Sequence, residues 1–132
     1  MEDNYTHKEG IVYLNQYHVI FCPKYRRKVL IGNIEIDLRN IFDQIAKEKN
    51  IEIKALEIMP DHVHMFISFD PRQPIHELIK LFKGRSSRVL RDKYPKLKSR
   101  IPSLWTRSYF CCTIGHISEE TIQKYIENQK SV

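Results

Sequence analysis

Apolar and polar positions change period along the chain, and the changes mark its elements. Residues 11–22 (IVYLNQYHVIFC) are rich in β-branched and aromatic side chains and read as a strand ended by Pro23. From about Glu35 to Lys49, Leu38, Ile41, Phe42 and Ile45 recur at helical spacing, and Asn50 supplies a helix stop. Ile51 to Met59 reads as a second strand, followed by the turn signal Pro60-Asp61. Residues 62–69 (HVHMFISF) then alternate, with Val63, Met65, Ile67 and Phe69 on one face and His62, His64, Phe66 and Ser68 on the other. So tight a connection predicts an antiparallel hairpin. Pro74 is well placed to open a helix with the stripe Ile75, Leu78, Ile79 and Phe82. The stripe resumes at Val89 and Leu90, so the helix runs to about Lys93 with Gly84 inside it. Residues 95–104 read as a loop, and Trp105 to Ile114 as a last strand, bulged or split near Ser108, with Gly115 breaking it. Ser118 can cap a final helix whose first turn carries Glu119 and Glu120, where the helix dipole favours acids.

The order β-α-β-β-α-β with an added C-terminal helix is the split βαβ arrangement. It predicts an α+β, ferredoxin-like fold: a four-stranded antiparallel sheet, two helices on one face, and a further C-terminal helix. The 132 residues fit one domain, 1–132, and 42% hydrophobic residues suffice for a core. Three cysteines, two of them adjacent (Cys111 and Cys112), suit neither a disulfide framework nor a zinc ribbon and read as reduced thiols. No apolar run reaches the roughly 20 residues of a membrane span, and the start Met1-Glu2-Asp3-Asn4 is not a secretory signal, so a cytoplasmic location is expected.

The net charge of +6 fits a polyanionic partner without requiring one. Two basic segments are candidate DNA contacts: the loop with Lys24, Arg26, Arg27 and Lys28, and the second helix with Lys83, Arg85 and Arg88 among its cations. A solvated charged face is the competing account of each. Tyr25 can stack on a base, whereas Trp105, Tyr109 and Phe110 read as core.

On a strand, His62 and His64 project side by side, and two imidazoles so placed can share a divalent metal. With six histidines in the chain, spacing alone does not separate this from two histidines that bind nothing. Two histidines also seldom hold a catalytic metal without a third ligand. In the last helix, Ile122, Tyr125, Ile126 and Gln129 share one stripe, and Tyr125 and Gln129 are i, i+4 neighbours. One account is a plain amphipathic helix. The other makes Tyr125 a nucleophile and Gln129 a ligand through its amide oxygen.

Five blocks taken in order carry a family resemblance. They are residues 17–28 (YHVIFCPKYRRK), 59–64 (MPDHVH), 83–87 (KGRSS), 105–110 (WTRSYF) and 125–129 (YIENQ). Together they resemble the TnpA-type, single-tyrosine HUH transposases of insertion sequences of the 200/605 type, over about residues 11–129. The resemblance implies that His62, His64 and Gln129 bind Mg2+ or Mn2+, and that Tyr125 attacks a phosphate of single-stranded DNA to form a 5′-phosphotyrosine link. It further implies a homodimer acting on DNA with hairpins at the ends of the element. Ser108 stands where glycine is frequent in the family, a departure expected to touch the strand and not the chemistry. A related nickase or repeat-processing nuclease, and a non-catalytic nucleic-acid-binding module on the same fold, are the alternatives.

Overall fold

The computed structural model describes residues 5–98, 103–113 and 116–129. Its elements are β1 (Thr6–Lys8), β2 (Ile11–Tyr13), β3 (Gln16–Phe21), α1 (Gly32–Lys49), β4 (Glu52–Met59), β5 (His62–Ser68), α2 (Ile75–Lys93), β6 (Phe110–Cys112) and α3 (Glu119–Glu127). The main sheet is antiparallel in the order β4-β5-β3-β6, the ferredoxin-like pattern.

The alternation along β3 and β5 sorts their side chains. Val19, Phe21, Val63, Met65 and Ile67 face a core shared with Leu38, Phe42 and Ile45 of α1 and Leu78, Ile79, Phe82 and Leu90 of α2. Burial of each such side chain is worth roughly 1.5–3 kcal/mol. Phe21 sits at the centre, edge-on to Phe42 and Trp105 with ring centroids 6.1 and 4.8 Å away. As expected, α1 stops at Asn50, which adopts the left-handed conformation (φ 56°) and returns its N–H to the Ala46 carbonyl.

Two strands differ from their expected bounds. The run 11–22 is not one strand. It breaks at Leu14-Asn15, and Ile11–Tyr13 pairs instead with Thr6–Lys8 in a separate hairpin. Asn15 closes the pairing of β3 with β5: its carbonyl accepts from the Phe69 N–H (3.2 Å) and its side-chain amide donates to the Phe69 carbonyl (2.9 Å). Gly10, at φ 81°, closes the small hairpin in a conformation that L side chains disfavour. The last strand is also shorter than the expected 105–114, covering only Phe110–Cys112. Trp105 makes an isolated bridge to Pro23, and the segment between is tied down by side chains instead of a ladder. The expected break at Gly115 lies outside the described residues.

Candidate active site

His62 and His64 project from the sheet face opposite the core, as the alternation requires. Each meets a partner through a ring nitrogen. His62 Nδ1 lies 2.9 Å from Asp61 Oδ1. A carboxylate there accepts the Nδ1 proton and leaves the Nε2 lone pair for a ligand. Asp61 is itself 3.5 Å from Arg26 Nε. Arg26 reaches it from a turn in which Tyr25 and Arg26 both hold positive φ, 61° and 52°, a costly arrangement for non-glycine residues.

His64 Nε2 lies 2.9 Å from His18 Nδ1, so one ring donates and the other accepts. The His18 ring stacks on Phe66 at 4.3 Å. Burial, then the nearness of His18, holds the His64 pKa below the usual imidazole value. Near neutral pH it is therefore uncharged, the form that ligates a metal. Sequence reasoning did not single out His18. The available signal was its register: it alternates with Ile20 and Cys22 and so shares the histidine face.

α3 covers that face. Ser118 caps it, its hydroxyl accepting from the Thr121 N–H at 3.2 Å. Ile122 and Ile126 are buried against Ile20 and Cys22. Ile20 is the cross-strand partner of His64, so the helix lies on the same side of the sheet as the two histidines, and it comes from the same chain. Tyr125 is half-buried, its ring 5.9 Å from that of Phe110 and its hydroxyl 3.1 Å from Ser108 Oγ. Burial raises the Tyr125 pKa to about 12, against the Ser108 hydrogen bond, which lowers it; the nearby Cys22 thiol adds to the rise. Cys22 is itself pushed up to about 12 by burial, so it is an inert thiol and not a competing nucleophile.

Gln129 is buried, and its Oε1 has no hydrogen-bond partner. An orphaned buried acceptor costs about 1–3 kcal/mol, which a bound cation would offset. Among the described residues no group of three or more His, Cys, Asp or Glu side chains is placed to hold a metal. An amide oxygen such as that of Gln129 is a donor that suits a divalent ion of the Mg2+ or Mn2+ class. The donor chemistry of two imidazoles and an amide oxygen suits such an ion.

Ser108 was expected to be a strand variation remote from the chemistry. It stands in an irregular segment instead, with its hydroxyl against the tyrosine.

A basic cleft of about 680 Å³ opens between α2 and residues 103–109. Lys24, Lys80, Lys83, Arg88, Arg91 and Arg107 line it, with Asp92 as its acid. Of the cations expected to meet DNA, Lys24, Lys83 and Arg88 thus share one surface. Arg26 turns to Asp61, Arg85 to Glu48 at 2.7 Å, and Arg27 and Lys28 do not line the cleft. Arg107 could not be found from sequence, because it joins the cleft only through the path of an irregular segment. Trp105 is 2% exposed and is core, as expected, while Tyr25 is exposed.

With this geometry in place, likeness to known proteins becomes informative. The family described as "Transposase IS200 like" matches residues 11–129. The chain is 41% identical over 122 residues to the ISDra2 transposase TnpA of Deinococcus radiodurans, covering 91% of this chain and 87% of that protein. It is 32% identical over 116 residues to the transposase for insertion sequence element IS200 of Salmonella typhimurium, covering 86% and 76%. A crystal structure from Deinococcus radiodurans assigned as a transposase superposes with a TM-score of 0.88 at 36% identity, over 96% of this chain and 99% of that one. A REP-associated tyrosine transposase bound to a REP hairpin shares the fold, with a TM-score of 0.59 at 12% identity over 86% of this chain and 62% of that one.

Proposed function

The chain belongs to the IS200-like transposase family, and from that premise we propose that it cuts and rejoins single-stranded DNA by transesterification, with Tyr125 as nucleophile and His62, His64 and Gln129 as ligands of Mg2+ or Mn2+. The observation that carries this reading is the seating of α3 on the histidine face, which gathers a tyrosine hydroxyl, two imidazoles and an unpartnered amide oxygen on one side of one sheet.

The Tyr125 oxygen attacks the scissile phosphorus, the bond to the 3′ oxygen breaks, and the 5′ phosphate stays on the tyrosine. The phenolic proton is lost and the departing 3′ oxygen gains one, so the step is balanced without a cosubstrate. In the return step a 3′ hydroxyl attacks the phosphotyrosine and Tyr125 leaves. A phenol with a pKa of about 12 is almost wholly protonated at neutral pH, so its proton must move as attack proceeds. Asp61 and Arg26 fix the His62 ring, and His18 fixes that of His64. His62, His64 and Gln129 would hold the divalent ion, which would supply Lewis-acid polarisation of the phosphate oxygens.

Labelled single-stranded DNA carrying the element's end, incubated with protein and Mn2+, is expected to give a covalent adduct. Tyr125→Phe abolishes the adduct and keeps DNA binding. An adduct that survives this substitution removes Tyr125 from the role. In calorimetry His62→Ala loses the Mn2+ binding of the parent protein. The DNA phosphates are expected in the basic cleft, and the protein is expected to be a homodimer, which sedimentation equilibrium tests. No helix among the described residues is long and apolar enough to cross a membrane. A base-stacking binding module is disfavoured, because α3 covers part of the sheet face such a module would use.

A further inference from the structure

Resting on that reading of Tyr125, we propose that Lys83 and Ser108 are positioning residues for the nucleophile, linking the basic cleft to the tyrosine hydroxyl. Lys83 lies within α2 and lines the cleft. Its ammonium donates to two backbone carbonyls of the irregular segment, Thr106 at 2.7 Å and Ser108 at 3.0 Å. The side chain of that same Ser108 meets the Tyr125 hydroxyl at 3.1 Å. One residue thus has its carbonyl held by α2 and its hydroxyl on α3. The run from α2 to the nucleophile is continuous: Lys83 Nζ, Ser108 main chain, Ser108 Oγ, Tyr125 hydroxyl.

The rest of the segment is built to hold this contact. Ser86 Oγ accepts from the Trp105 indole at 2.9 Å, and Ser87 Oγ accepts from the Leu104 N–H at 3.1 Å. The Thr106 N–H donates to the Cys22 carbonyl at 3.0 Å, and the Thr106 hydroxyl to the Ser108 carbonyl at 3.2 Å. A segment whose only bridge among the described residues is that of Trp105 to Pro23 is therefore fixed at nearly every residue from 104 to 108. Among the described residues Lys83 has no carboxylate partner: it meets those carbonyls and the rings of Phe21 and Tyr109, 5.9 and 5.8 Å away, with the Cys22 thiol also near it. Burial accordingly lowers its pKa to about 8. A desolvated cation that serves only carbonyls is a costly choice for a plain structural clip. It is well suited to a group that also meets phosphate in the cleft. The Ser108 hydroxyl, in turn, can donate to the tyrosine oxygen as that oxygen loses its proton, and again as it departs with negative charge in the return step.

The test separates this device from the nucleophile assignment. Tyrosine labelled with 13C at the ring ζ carbon, with the Tyr125 signal assigned by its loss in Tyr125→Phe, reports the ionisation of Tyr125 without any DNA. Ser108→Ala is expected to raise that pKa, Ser108→Thr to restore it, and Lys83→Met to raise it in the same direction. Ser108→Ala with Lys83→Met is expected to be no worse than the larger single effect, as for two members of one chain of contacts. At saturating single-stranded DNA and Mn2+, Ser108→Ala slows adduct formation about ten-fold, roughly 1.4 kcal/mol, while the Kd for DNA is unchanged. If Ser108→Ala leaves both the Tyr125 pKa and the adduct rate at parental values, or if the two substitutions simply add, the proposal is overturned while Tyr125 remains the nucleophile. If adduct persists in Tyr125→Phe, the underlying reading falls and takes the proposal with it.

Discussion

At the scale of single residues, the site combines groups whose environments disfavour charge. His64 is kept neutral by burial and by His18, and Tyr125 keeps its proton well past neutrality. Lys83 has a consequence for stability that can be measured. Its folded-state pKa of about 8 lies below the ordinary lysine value of 10.5, so between those pH values the folded protein has released a proton the unfolded chain retains. Unfolding then takes up protons, and the Lys83 contribution to stability rises with pH from about 8 to 10.5. Cys22 and Tyr125 act oppositely above their ordinary values of 9.0 and 10.0, because the folded state holds those protons longer. The difference between wild type and Lys83→Met in urea unfolding isolates the lysine: wild type is expected to gain on the variant as pH rises through 8 to 10.5. A flat difference would contradict the buried-cation account. Ser86→Ala removes the acceptor of the buried Trp105 indole and is expected to cost about 1–3 kcal/mol, read from the urea midpoint at unchanged slope.

Elements contribute unequally to holding the site. β3 and β5 are central strands anchored by the main core, so the histidines stand on a rigid base. α3 has a much smaller anchor, chiefly Ile122 and Ile126 on Ile20 and Cys22. Ile126→Ala is therefore expected to raise amide exchange throughout α3 while β3 and β5 keep their protection. Exchange rising equally in all three would show that α3 unfolds only with the whole. In α2, Gly84 has open space where a Cβ would stand and no unusual backbone to justify it. Gly84→Ala is expected to raise stability by roughly 0.5–1 kcal/mol. It lines the cleft, so the same change is expected to weaken DNA binding if a phosphate backbone approaches the helix there.

Across the whole molecule, the net charge of +6 is not spread evenly: several of its cations converge on one cleft. Affinity for single-stranded DNA should fall steeply with salt, and Arg88→Gln should reduce the logarithmic slope by roughly 0.7, the value for one phosphate contact on a single strand. Arg85→Gln should leave that slope nearly unchanged, because Arg85 is paired with Glu48. An equal effect of the two would mean that the charge acts as a diffuse field and not through the cleft.

Much of this was written in local periodicity. The alternation of residues 62–69 dictated which face bears His62 and His64, since strand geometry leaves an imidazole at i and i+2 no other choice. The stripes of α1, α2 and α3, the Ser118 cap and the Asn50 stop are likewise local properties, which is why they were legible without coordinates. The order of elements sufficed for the ferredoxin-like topology. Tertiary structure decided what depends on distant parts meeting. It divided the first strand by pairing residues 11–13 with 6–8 and residues from Asn15 on with β5, and replaced half of the last strand with a segment fastened to α2. It brought His18 to His64, set the Gln129 amide oxygen in a buried place without a hydrogen-bond partner, and sent Arg26 and Arg85 to carboxylates. It also laid Ser108 against Tyr125, and this no pattern could foretell. A hydrogen bond between residues on separate elements is fixed by how those elements pack, and packing has no period along the chain.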